Sequence, residues 1–449
     1  MSAPSFPSLA APGRNVGQWG KGHSMANCTL RCLGCGREYA EDGMRLTCSD
    51  SHGPSLLRSV YGQKAIVRRS DLPGIFQFSD WLPVGTSLDV KGAPITYQSE
   101  RLARHLGLSH LFVSFNGYWP ERGAFMETCT FKELEAPPTV ARFLGNGRGK
   151  LVVASAGNTA RAFAQVCCRT GTPLVLVVPE SGMEHLWITE ERNECVKLIV
   201  LTGGCDYTDS IQFANRLAEQ EGFVQEGGAL NVARRDGMAT TVLDAVLTIG
   251  QIPDHYFQAV GSGTGAISAW EANLRLVDDG RYGSKKMRLH LSQNHPFTPI
   301  YDSWKMRSRE LVALDVEEAK ERLREADAKV LSNRRPPYSI AGGVYDALED
   351  TNGEMYAVTN QELRKTRDLF EELEGIDICP AASVAVASLA QAVAQRAVDK
   401  ADVVLLNITG GGLRRLKGSR RGGRSWRRHW SRSDTTRLPT LAIRRCFLA

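Results

Sequence analysis

Leu151-Val152-Val153-Ala154-Ser155-Ala156-Gly157-Asn158-Thr159 runs from a short apolar stretch into helical periodicity that reaches Thr170, stops at Gly171 and yields to a second apolar stretch, Leu174 to Val178. Apolar runs this short suit fully buried strands, and the helical span between them suits a crossover. The alternation continues through a helix-like span over Glu191 to Cys195, a strand over Lys197 to Leu201 and a helix over Thr208 to Glu221. Such a βαβαβα run predicts a parallel sheet with helices on its faces. Further along, Phe257 to Val260 reads as a strand entering a glycine loop, and Val316 to Lys329 as a charged helix. Thr359 and Glu362 have the spacing of a capping box for a helix ending at Gly375, and Val403 to Ile408 is a last buried strand. The expected fold class is α/β.

At 449 residues, 42% of them hydrophobic and 23% charged, the chain has ample material for one composite or two ordinary cores. No apolar run is long enough to span a bilayer, and Met1 to Ser24 carries no targeting pattern, so the expectation is a cytoplasmic protein with no membrane partner. The net charge of +6 is misleading, because Arg414 to Arg445 holds twelve Lys or Arg against one Asp and leaves the remainder near −5. A nucleic-acid binder would carry its basic patch on the folded body, so nucleic acid is not the expected partner. Eleven cysteines, most in apolar stretches, fit a reducing compartment.

Four segments carry chemistry in a fixed order: Thr130-Phe131-Lys132, then Ser155 to Thr159, then Gly261-Ser262-Gly263-Thr264-Gly265, then Asn407-Ile408-Thr409-Gly410-Gly411-Gly412. Lys132 lies just before Pro137-Pro138 in an aromatic-rich stretch, and a desolvated lysine amine can join an aldehyde and serve as a base. The glycine loop stands between a strand and a helix, where amides and the hydroxyls of Ser262 and Thr264 can hold a phosphate. Asn158 can donate to a ring oxygen, Thr409 can meet a ring nitrogen, and Ser155 and Thr159 can hold a substrate carboxylate. Together these features suit pyridoxal 5'-phosphate. Taken singly, the glycine loop also reads as a tight turn, the Asn loop as a helix cap and Thr409 as a satisfied buried hydroxyl.

The order of these segments resembles the fold type II pyridoxal phosphate enzymes, which include threonine synthase, cysteine synthase and the tryptophan synthase β chain, and the likeness covers most of Cys28 to Leu413. Phe115-Asn116-Gly117-Tyr118-Trp119-Pro120, continuing to Thr130-Phe131-Lys132-Glu133-Leu134-Glu135-Ala136, and Leu291 to Phe297 resemble the cysteate synthases within that group. The Ser-Phe-Lys-Asp-Arg string usual in threonine synthases is absent. The resemblance implies two open parallel or mixed α/β domains with the cofactor between them. It also implies a β-replacement that turns O-phosphoserine and sulfite into cysteate and phosphate through elimination and an aminoacrylate. Threonine synthase and O-phosphoserine sulfhydrylase are the alternatives, and a non-catalytic nucleic-acid-associated protein is a distant one. Two anionic substrates call for cations, and Arg122, Arg161 and His295 are the candidates. A homo-oligomer is expected.

Cys32, Cys35, Cys48 and His52, with Cys28 nearby, have ligand types and spacing that could close a structural zinc site; free thiols are the other reading. The expected domain map is a zinc-ribbon-like segment over 25–55, a large cofactor-binding domain over 56–137 and 236–413, and a small α/β domain over 138–235. Residues 1–24 read as a disordered extension or misassigned start, and 414–449 as a basic disordered tail.

Overall fold

The computed structural model describes residues 28–146, 149–155, 157–419, 428–429 and 435–438. The reading of 1–24 therefore lies outside the described residues. Two open sheets organise the rest. The first has the strand order Phe223–Gln225, Lys150–Ala154, Leu174–Pro179, Val196–Leu201 and Thr435–Leu438, and every pairing is parallel. The second has six strands in the order Glu354–Val358, Arg288–Asn294, His255–Ala259, Val403–Ile408, His110–Phe115 and Ile95–Gln98, parallel except for the antiparallel last pair. Leu174–Pro179 and Val403–Ile408 are buried at every residue, which is why their sequences run apolar rather than alternating, except at Asn407, whose buried amide donates to the Tyr256 hydroxyl at 2.7 Å.

Helices Asn158–Thr170, Tyr207–Ala218 and Asn360–Glu374 stand where helices were expected, the second ending before the expected Glu221 and the last opened by the Thr359/Glu362 capping box and closed by Gly375 in the left-handed conformation. The charged helix is shorter than expected, Val316–Glu325. The span Glu191 to Cys195 is not helical: a 3-10 segment lies earlier, at Glu180–His185, and 191–195 forms the turn into the next strand. The helical turn of this connection is spent on Glu180–His185, and the residues after Trp187–Ile188 lead directly into the next strand.

The basic tail is also not wholly without structure. Leu413–Ser419 is helical, Arg428–His429 pairs with Trp187–Ile188, and Thr435–Leu438 extends the first sheet beside Val196–Leu201. Without that fifth strand Val196–Leu201 would present unpaired amides and carbonyls at a sheet edge, a demand of the backbone that composition does not reveal.

Near the start of the chain, Glu38–Ala40, Cys28–Cys32 and Leu57–Tyr61 form a small antiparallel sheet. It is fastened to the body by buried polar contacts. Arg142 donates to both oxygens of Glu41 at 2.8 and 3.0 Å, while Ser59 and Tyr61 donate to Asp236 at 2.6 and 2.7 Å.

Candidate active site

Lys132 sits on a 3-10 turn, Phe131–Leu134, whose capping residue Thr130 accepts the Lys132 N–H on its hydroxyl at 3.4 Å. The helix Ala136–Asn146 follows, with Pro137 and Pro138 in its first turn, where a missing N–H leaves no bond unmade. Neighbours pin the turn. Phe131 N–H donates to the Thr409 carbonyl at 3.0 Å, and Thr128 donates from N–H and hydroxyl to Glu133 at 2.8 and 2.7 Å. Helix Val232–Ile249 packs so closely behind it that a Cβ at Gly237 would lie 2.0 Å from the Leu134 carbonyl oxygen.

The turn opens onto a cleft. Lys132, Asn158, Gly261, Ser262, Gly263, Thr264, Gly265 and Thr409 all line it, as do Ser155 and Thr159. Segments far apart in sequence converge because the sites lie at the carboxyl ends of parallel strands from both sheets.

These residues fit pyridoxal phosphate. Gly263 has φ +78°, and a Cβ there would lie 2.3 Å from Val344, so only glycine shapes this turn. The loop precedes the helix Thr264–Asp279, and the Ser262 and Thr264 hydroxyls are 2.8 Å apart, giving an anion cradle at the positive end of a long helix. Arg161 Nη2 donates to Asn158 Oδ1 at 2.9 Å, which leaves the Asn158 amide nitrogen as its free donor. Burial lowers the proton affinity of Lys132; Glu135, whose Oε1 lies 3.3 Å from Nζ, opposes this, and Arg234 adds to it.

Arg122, Arg161 and His295 are not among the residues that line the cleft. Arg122 is exposed, with its guanidinium 4.3 Å from the Tyr97 ring centroid and 4.7 Å from that of Trp119. His295 is exposed at the end of Arg288–Asn294, and its backbone N–H donates to the Val358 carbonyl. Neither lines the cleft: each stands near a motif in sequence but on a stretch whose local backbone turns it elsewhere. Arg161 is buried over Trp187 and supports Asn158 rather than lining the cleft. Ser155 accepts the Gly157 and Ala160 N–H groups at 3.0 and 2.9 Å, the helix-cap role, while keeping its own proton to donate. Thr159 is committed to Glu135 and Arg234, both at 3.1 Å.

The sequence reading missed Glu135, Glu226 and Arg234. Arg234 donates to both carboxylates, with 2.9 and 3.1 Å contacts to Glu226, and all three are buried. One signal was available: Arg234 and Arg235 stand together in a helix buried from Val232 to Val246, a costly position for unpaired charge.

In the small N-terminal sheet, ligand atoms of Cys32, Cys35, Cys48 and His52 lie within 4.8 Å of one another. Cys32 Sγ to His52 Nε2 is 3.4 Å and Cys35 Sγ to Cys48 Sγ 3.7 Å. Tetrahedral zinc with bonds of about 2.0–2.3 Å needs ligand spacings of this order, so the cluster could hold a metal. Cys28 is not part of it; it is buried among Tyr61 and Trp81, where burial pushes its thiol far above the usual range. Metal analysis of the purified protein is expected to return about one zinc per chain, and Cys48→Ser to reduce it severalfold.

The fold and this cleft define a pyridoxal-phosphate dependent enzyme, and residues 88–410 match the family of that description, to which the chain belongs. Within it the chain is a member of the cysteate synthase family. It is 54% identical to cysteate synthase of Methanosarcina barkeri over 394 residues, covering 88% of this chain and 94% of that protein. It is 55% identical to that of Methanosarcina mazei over the same shares, and 52% identical to that of Methanocella paludicola over 88% and 91%. Among solved structures, diaminopropionate ammonia lyase from Escherichia coli shares the fold at TM-score 0.54, 15% identity and 73% and 86% coverage of the two chains. Maize serine racemase does so at TM-score 0.52, 14% identity and 73% and 91% coverage. Among the described residues no helix is long and apolar enough to cross a membrane.

Proposed function

We propose that this chain converts O-phospho-L-serine and sulfite into L-cysteate and phosphate. The observation that carries the reading is the meeting of Lys132, Asn158, the glycine loop and Thr409 in one cleft, in a chain more than half identical to several cysteate synthases. Bound pyridoxal phosphate supplies an electron sink for the charge left at the substrate Cα. The loop amides and the Ser262 and Thr264 hydroxyls would hold the cofactor phosphate, the Asn158 amide would be available to the ring hydroxyl oxygen, and the Thr409 hydroxyl to the ring nitrogen. A hydroxyl there does not enforce ring protonation as a carboxylate would, which favours elimination. The Ser155 hydroxyl binds the substrate carboxylate.

Lys132 Nζ takes the Cα proton, the bond from Cβ to the phosphate oxygen breaks, and phosphate leaves with that electron pair. Sulfite then bonds through sulfur to Cβ, and Nζ returns the proton to Cα. Sulfite carries its own lone pair at neutral pH and needs no base, so one amine serves both proton transfers.

We assign 56–137 and 236–413 to the larger, cofactor-binding domain and 138–235 to the smaller. The same reading makes the enzyme a cytoplasmic homo-oligomer, which light scattering of the purified protein checks for assembly. The test of function is phosphate release. O-Phosphoserine with sulfite is expected to release phosphate and form cysteate in equal amounts. Release only with sulfide, or only from O-phosphohomoserine, overturns the assignment in favour of an O-phosphoserine sulfhydrylase or a threonine synthase.

A further inference from the structure

The cleft contains a charged network that the mechanism above leaves unused. Glu135 lies one turn beyond Lys132, is fully buried, and has its Oε1 3.3 Å from Nζ. Its carboxylate also receives the Arg234 guanidinium, through Nε and, at 3.1 Å, Nη2, together with the Thr159 hydroxyl at 3.1 Å. Arg234 in turn is held from the other side by both oxygens of Glu226. Lys132, Glu135, Arg234 and Glu226 thus alternate in sign and sum to zero charge, which is how four such groups can share a buried site. Among the described residues, the other titratable groups lining the cleft are Tyr207 and Cys379, whose protons burial holds on, and the Phe131 ring centroid lies 4.6 Å from Nζ.

We propose that Glu135 is the positioning residue for Lys132: its carboxylate receives the lysine amine whenever Nζ is not joined to the cofactor, and Arg234 holds that carboxylate in place. The inference rests on Lys132 being the cofactor lysine. Once a substrate amine has displaced Nζ, the lysine would otherwise be a four-carbon chain free to leave the cleft. An anchor at 3.3 Å limits that freedom and receives the ammonium formed when Nζ has taken the Cα proton. The Arg234 clamp matters because its Nε and Nη2 engage the two oxygens of Glu135 and fix the carboxylate beside Nζ. Burial works against the ammonium and Glu135 works for it, so the pair sets the pH at which the amine becomes free.

That balance yields a test in which damage and loss of positioning have opposite signs. Attachment of pyridoxal phosphate requires unprotonated Nζ, so the rate at which cofactor-free full-length protein regains its visible band should rise with pH and level off at the amine's midpoint. Glu135→Gln removes the anion and leaves Arg234 nearby, so the midpoint is expected to fall, and below the wild-type midpoint attachment is expected to be about tenfold faster than in wild type. Glu135→Asp keeps the charge and should keep the midpoint within severalfold of wild-type rates.

Slower attachment at every pH in both variants, an unchanged midpoint in Glu135→Gln, or failure of both variants to fold would overturn the proposal and leave Glu135 a structural residue. Lys132→Ala separates this from the underlying assignment. If that variant still forms the visible band, the cofactor lysine has been misassigned; if it does not, only the role of Glu135 is at stake.

Discussion

Replacing Lys132 by alanine is expected to give a folded protein that forms no visible band with pyridoxal phosphate and whose phosphate release from O-phosphoserine is slower by about 10⁴-fold or more. The size follows from two losses at one atom, the covalent hold on the cofactor and the base that takes the Cα proton. The fold should persist, because Glu135 keeps its bonds to Arg234 and Thr159 when Nζ is removed. Lys132→Arg discriminates further. It keeps a positive charge beside Glu135 but cannot join the aldehyde, so a colourless, folded and inactive variant is the expected result. Absorbance and a phosphate-release assay check both variants, and a wild-type-like band in either would exclude Lys132.

The second large effect concerns stability. Arg235 is fully buried beside Arg234 on the same helix, yet it points to a different structure. Its Nε donates to Glu271 at 3.0 Å, and its other nitrogens donate to the carbonyls of Leu57 and Ala229, tying the N-terminal sheet to the body. Arg235→Met strands two carbonyls and leaves Glu271, itself 1% exposed, with Arg58 at 3.3 Å and the charge of Arg275. A buried pair broken on one side costs about 3–5 kcal/mol, read as a lower denaturant midpoint at unchanged slope.

The deficit should also depend on pH. Although burial alone would raise Glu271, Arg235 and then Arg58 hold its carboxyl below the ordinary range in the folded protein. That contribution is present above the unfolded-state value and is lost as pH falls through the depressed folded one. The gap between wild type and variant is therefore expected to narrow in acid, and a gap independent of pH would count against the charge explanation.

Both effects involve residues whose visibility in sequence differed sharply. Lys132 could be singled out as a candidate because its neighbours, the glycine loop and the Asn loop each encode a local backbone shape that short-range chemistry specifies. Arg235 and Arg234 announced only that something unusual sits in an apolar helix. Their partners lie elsewhere in the chain: Glu135 is 99 residues from Arg234, and Glu271 is 36 from Arg235. Arg122 and His295 show the converse. Both stand beside telling motifs, but proximity in sequence carries no direction, and the local turns send them to the surface.

By itself the amino-acid sequence determined the alternation of buried strands and helices, the cofactor, and the zinc-type ligand set at Cys32, Cys35, Cys48 and His52, because each depends on periodicity or on residues within one turn or loop. Only the tertiary structure decided which charges share a buried space. It placed Cys28 in the core rather than at the metal cluster, joined Thr435–Leu438 to a distant sheet edge, and set Glu135 between Lys132 and Arg234. The physical reason is that backbone shape is a short-range property, whereas the pairing of buried charges and sheet edges depends on segments that meet only after the chain has folded.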